Sequence, residues 1–184
     1  MNRLDEAFSV AKSENRALLI GFVTAGFPSK EGTVATAKAM IAGGVDVIEV
    51  GFPYSDPVMD GPIIQRAGEI ALENKTHALD VLDIVEEISK LTPTLVMTYW
   101  NPIEKFGVEE FSRKLAKRGG VGLITPDLTI EESKTWLSTA QSEGLAKVFV
   151  VAPSSTDERL QKVTNSCSGF VYAASLMGVT GVRS

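Results

Sequence analysis

Glu49 is a carboxylate inside the apolar run Val45–Val50, close to its end, where Val50 passes into Gly51-Phe52-Pro53-Tyr54-Ser55-Asp56-Pro57-Val58-Met59-Asp60-Gly61-Pro62. Burying an ionised carboxylate without a partner is costly, so such a residue is expected to hold its proton toward the range useful for acid–base work. The competing role is a structural pair with a nearby Lys, Arg or Ser. Asp60 follows eleven residues later, at the end of a loop rich in Pro, Gly and Asp. Taken alone, Asp60 reads as the cap of a helix starting at Pro62, because Pro favours the first helical turn. Asp56, ahead of Pro57, likewise reads as a turn residue. Two carboxylates flanking one strand end can nevertheless divide acid and base roles between them.

Other chemistries lack their residues. The single histidine, His77, lies between Thr76 and Ala78 at the start of a helical pattern, where a solvated first-turn role is expected. The single cysteine, Cys167, sits between Ser166 and Ser168 with no base beside it, and reads as an inert thiol. One cysteine provides neither an internal disulfide nor a Cys-based zinc site, and no metal site is expected. Ser-His-Asp and Cys-His arrangements recede with them. There is no GxGxxG and no GxxxxGK[ST], so dinucleotide and P-loop readings lack support. Gly178-Val179-Thr180-Gly181 suits a mobile loop or an oxyanion-binding turn, a weak signal at four residues.

The elements that must position these residues alternate along the chain. Strands are expected near Ala17–Thr24, Val45–Val50, Thr94–Thr98, Gly122–Thr125, Lys147–Val151 and Gly169–Ala174. Their nearly continuous apolar character predicts parallel strands covered on both faces. Amphipathic helical periods fall over Leu4–Asn15, Thr33–Ala42, Ala78–Leu91, Val108–Lys117 and Ile130–Ala140. Ser29, Thr76, Thr129 and Thr156 are the expected N-caps, and Trp136 belongs to a packing stripe. Repeated βα units imply a parallel sheet with right-handed crossovers, and ligands beyond the C-terminal strand ends. Periodicity leaves open whether the sheet stays open or curls into a barrel. No linker or low-complexity tract interrupts residues 1–184, so a single α/β domain is expected.

Composition narrows the partners. The chain is 44% hydrophobic and 22% charged, with a formal charge of −5 and no Lys/Arg run, so nucleic acid is not an expected partner. The longest apolar stretches, such as Ala17–Val23, are too short to cross a bilayer, and acids near the N-terminus do not fit a signal peptide. No membrane association and a cytoplasmic location are the expectations.

The segment Ile48–Gln65 resembles the signature of tryptophan synthase α subunits, E-[LIV]-G-x-P-[FY]-S-D-P-x-x-D-G-P-x-I-Q. Phe22–Pro28, Met97–Pro102, Pro126-Asp127-Leu128 and Tyr172 ahead of Gly178–Gly181 agree in order, so the likeness covers essentially the whole chain. The resemblance implies a TIM (β/α)₈ barrel with an added N-terminal helix, of which about six of eight strands fall here. It implies retro-aldol cleavage of indole-3-glycerol phosphate to indole and glyceraldehyde 3-phosphate, without a metal or organic cofactor. Pyridoxal phosphate is expected only in the partner β subunit. By family position Glu49 is the general acid–base residue, and Asp60 hydrogen-bonds the indole N–H. Phe22, Met97, Tyr99, Ile124, Val150 and Tyr172 would wall the indole pocket. Thr180 and Gly181 would belong to the loop that closes near the phosphate, and Asp56 would face the β subunit. The resemblance also implies two further strands, whose loops would supply most phosphate-binding N–H groups. A catalytically inactive fragment of such a subunit, serving folding or β-subunit binding, is the alternative reading. A different phosphate-sugar barrel enzyme is a third, against which the Glu49–Gln65 signature argues.

Overall fold

The computed structural model describes residues 2–174; the expected site residues Thr180 and Gly181 lie outside them. The chain opens with α1 (Arg3–Ser13), followed by β1 (Ile20–Thr24), α2 (Lys30–Ala42), β2 (Val47–Gly51), α3 (Pro62–Glu73) and α4 (Ala78–Ser89). It continues through β3 (Thr94–Met97), α5 (Trp100–Phe106), α6 (Val108–Lys117), β4 (Gly122–Thr125), α7 (Lys134–Glu143), β5 (Ala146–Val151), α8 (Asp157–Ser166) and β6 (Tyr172–Ala173). Each strand pairs in parallel with the next, in the order β1-β2-β3-β4-β5-β6. The connections run through helices, as parallel pairing requires.

Strand alternation splits the apolar residues between two cores. Ile48, Val50, Val96, Leu123 and Phe149 face the helices, where Val85, Phe111 and Trp136 are buried with them. Val47, Leu95, Ile124, Val148 and Leu4 of α1 form a second cluster on the opposite face. Because side chains alternate with period two, Glu49 shares this inner face with Val47. The helix α1 closes one end of it. Its N-cap Asn2 donates from Nδ2 to the carbonyls of Val121 (2.8 Å) and Gly144 (3.1 Å), and Phe8 packs on Phe170 with ring centroids 5.8 Å apart.

Local chemistry explains most boundaries. Ser29 caps α2 by accepting the Gly32 N–H at 3.0 Å, and Thr156 caps α8 by accepting the Arg159 N–H at 3.3 Å. Two expected caps are corrected. His77, not Thr76, occupies the N-cap of α4, where its N–H donates to the Asp80 carboxylate at 2.8 Å. Thr129 opens a turn instead of a helix: the Glu132 N–H returns to its carbonyl at 3.2 Å, and α7 starts only after Ser133. A short helix, α5, for which no helical period was read, follows β3. The Asp127 carboxylate accepts the Trp100 N–H at 2.9 and 3.1 Å, which supplies from another loop the cap that Tyr99 lacks. Pro102 is tolerated because the first turn of a helix needs no N–H there.

Candidate active site

The C-terminal ends of the strands surround a cavity of about 330 Å³, a size suited to a small organic ligand. Its wall is built by sheet register. Glu49 pairs with Phe22 on one side and Leu95 on the other, so Phe22 and Glu49 point inward together. Val150 pairs with Tyr172 across the β5–β6 edge. Phe22, Glu49, Met97, Tyr99, Val150 and Tyr172 all line the cavity, as does Asp60 from the β2–α3 loop. Seven of the expected residues are thus brought together.

Ile124 is not among the lining residues. It is fully buried and pairs with Val148, two residues before Val150, which places it one layer deeper in the inner core. Met97 occupies the same register level and still reaches the cavity, because its unbranched side chain is long.

Glu49 is only 5% exposed and makes no hydrogen bond or ion pair to any described residue. Among the described residues the structural pair with Lys, Arg or Ser does not form. Desolvation alone pushes its carboxyl up to about 7, near the value at which one group can both give and take a proton at neutral pH. Burial also raises the Tyr172 phenol, with the Glu49 charge adding to the effect.

Asp60 does not cap α3. Gly61 holds the N-cap position without a side-chain cap bond, and Pro62 opens the helix. The Asp60 carboxyl is raised by burial, while a hydrogen bond from Tyr99 acts in the opposite direction. Asp56 lies on the exposed part of the same loop, bonded to Ser55 Oγ, outside the cavity.

Close packing keeps the cavity open. A Cβ on Gly51 would lie 2.4 Å from Phe22 Cζ, so only glycine lets that ring stand against β2. Gly51→Ala is expected to displace Phe22 and cost about 1–3 kcal/mol of stability through overpacking. Denaturant unfolding checks this, and an unchanged midpoint would contradict it.

Ile64, Gln65 and Gly68 on α3, and Tyr54 on the loop before it, also line the cavity and were not expected as site residues. The signal was available. With Pro62 at the helix start, positions 64, 65 and 68 share one face of the first turns, and that face lies over the strand ends. Among the described residues no three His, Cys, Asp or Glu side chains gather as metal ligands. No helix there is long and apolar enough to cross a membrane.

The model of a family described as tryptophan synthase alpha chain matches residues 8–184. The chain belongs to the tryptophan synthase α-chain family. The tryptophan synthase alpha chain of Salinispora arenicola is 53% identical over 184 residues, all of this chain and 69% of that protein. The Streptomyces coelicolor alpha chain is 54% identical over 182 residues, 98% of this chain and 67% of that one. A solved structure of Mycobacterium tuberculosis tryptophan synthase superposes with a TM-score of 0.95 at 49% identity, covering all of this chain and 72% of that one. The α subunit from Legionella pneumophila gives 0.91 at 35% identity, covering 95% and 68%. The six-stranded sheet is therefore part of a TIM-barrel wall, which resolves the open-or-closed question that periodicity left. As a member of the tryptophan synthase α-chain family, the chain has the fold of a biosynthetic lyase.

Proposed function

We propose that this chain cleaves indole-3-glycerol phosphate to indole and glyceraldehyde 3-phosphate, with Glu49 as general acid and base and Asp60 as the partner of the indole N–H. The observation that carries the reading is Glu49 itself, a nearly buried carboxyl with no partner among the described residues, on the wall of an apolar cavity. Protonated Glu49 gives its proton to indole C3. The bond from C3 to the glycerol chain then breaks, and its electrons return to the ring. The adjacent chain hydroxyl becomes the aldehyde as its proton passes to the Glu49 carboxylate, which restores the acid. While C3 is protonated the ring nitrogen is positive, and the Asp60 carboxylate accepts its N–H and offsets that charge. Phe22, Met97, Tyr99, Val150 and Tyr172 supply an apolar and aromatic wall for the indole, with Ile124 supporting the floor from beneath. The expected contribution of Thr180 and Gly181 near the phosphate lies outside the described residues.

The cleavage breaks one carbon–carbon bond with proton transfers and no net redox change, so this chain takes no organic cofactor or metal; pyridoxal phosphate belongs to the β subunit. Asp56 marks the face toward that subunit. The same face exposes Val58 and Ile63, 73% and 72% accessible, which supports a partner covering it. The product indole feeds amino-acid biosynthesis, and the cytoplasm is its place of work.

The first proton transfer needs Glu49 in its acid form. Because burial raises this group to about 7, kcat/KM is expected to fall as pH rises through about 7. A pH profile of indole release tests this. A rate flat from slightly acidic to clearly alkaline pH would show that Glu49 is not the proton donor.

A further inference from the structure

The β2–α3 loop carries Asp60 with no regular structure of its own, so a precise carboxylate there needs support from outside. Two side chains grip the chain on either side of it. Met59 donates its N–H to the Tyr99 hydroxyl at 2.9 Å, and Gln65 Nε2 donates to the Asp60 carbonyl at 2.9 Å. Both grips are anchored in turn. The Tyr99 ring packs on Tyr54 with centroids 5.2 Å apart, and Asn101 Nδ2 donates to the Tyr54 hydroxyl at 3.0 Å. The residue after Tyr99 is fixed through its N–H by Asp127. Gln65 sits on α3, and its backbone N–H donates to the Gly61 carbonyl at 2.9 Å. Tyr99 and Gln65 also line the cavity, so the support stands beside the ligand and not behind it.

We propose that Tyr99 and Gln65 are positioning residues for Asp60, bracing the loop on both sides of it so that its carboxylate is fixed against the cavity before substrate arrives. The proposal rests on Asp60 being the group that meets the indole N–H. It extends that reading by giving Tyr99 a second duty beyond walling the pocket and by assigning Gln65 a role. The hydroxyl and the ring of Tyr99 do separate work. The ring bounds the cavity, while the hydroxyl accepts the Met59 N–H and acts to lower the Asp60 carboxyl, favouring its charged form. Preorganisation of this kind matters most in the transition state, because the carboxylate then has no reorganisation left to undergo.

The two grips predict opposite titrations. Tyr99→Phe keeps the ring and removes the hydroxyl that favours the charged carboxylate, so the Asp60 carboxyl should titrate at higher pH. Gln65→Met keeps the bulk and frees the Asp60 carbonyl. Water then reaches the loop, and the carboxyl should move back toward an ordinary aspartate. Carbon-13 carboxyl NMR on the full chain, with Asp60 assigned by its loss in Asp60→Asn, reads both shifts without requiring turnover. An Asp60 titration unchanged in both variants overturns the brace. Where indole release is measured, Tyr99→Phe should lower kcat by about tenfold with little change in KM, the worth of one hydrogen bond to a charged group. In the Asp60→Asn background the same change should add almost nothing. An equal further loss there would mean that Tyr99 acts on the substrate directly, against the proposal. Absence of turnover in the unsubstituted chain would refute the reaction reading, while the titration would still decide the brace.

Discussion

Glu49→Gln binds indole-3-glycerol phosphate and releases indole at least about 10³-fold more slowly than the unsubstituted chain, because an amide can neither give nor take the proton at C3. The substitution preserves shape, and no described hydrogen bond or ion pair is lost, since Glu49 has none. The same change is expected to stabilise the fold at alkaline pH. Desolvation raises Glu49 to about 7, so the native state keeps a proton that the unfolded chain releases from the ordinary glutamate value of 4.5 upward. Stability of the unsubstituted chain therefore falls as pH rises through that window, and above it the full penalty, on the order of 3 kcal/mol, applies. Gln never ionises and escapes it. Denaturant midpoints of the two proteins should converge near pH 4 and separate above pH 7, with Gln the more stable. A catalytic group held at a cost in stability gives that pattern, whereas a structural carboxylate gives the reverse.

Asp60→Asn should lower kcat/KM by about 10²-fold, the scale of losing one charged contact to a developing transition-state charge. Asn keeps an acceptor for the indole N–H but not the negative charge that offsets the cationic ring. Its effect on folding should stay within about 0.5 kcal/mol, because Asp60 lies outside the capping position taken by Gly61. Steady-state kinetics and thermal unfolding together separate the roles. A lowered melting temperature with turnover intact would make Asp60 a structural residue after all.

Glu49 was legible because a single acid near the end of an apolar strand is conspicuous, and sheet alternation turns that position toward the inner face. Asp60 was not legible by its own physics. A carboxylate ahead of Gly-Pro has a sound local role as a cap, and only the long Glu49–Gln65 signature pointed past it. Strand positions followed from apolar runs, but the closure of the sheet did not, since open and barrel forms share the same period. The depth of Ile124 depends on cross-strand register, which no single strand reveals. Gln65 was missed although the Pro62 start of α3 marks its face, and Tyr54 because its bond with Asn101 of α5 joins segments 47 residues apart. The late start of α7 reflects a competing local bond, in which the Thr129 hydroxyl donates to the Glu132 carboxylate at 2.9 Å inside a turn. The cap of α5 by Asp127 crosses 27 residues and has no local trace.

The most direct test is indole release from indole-3-glycerol phosphate by the 184-residue chain, measured with and without a tryptophan synthase β subunit. Turnover is expected from a folded, monodisperse sample, lost in Glu49→Gln under the same conditions. No indole from a folded sample in either case would contradict it and favour a non-catalytic role for the chain.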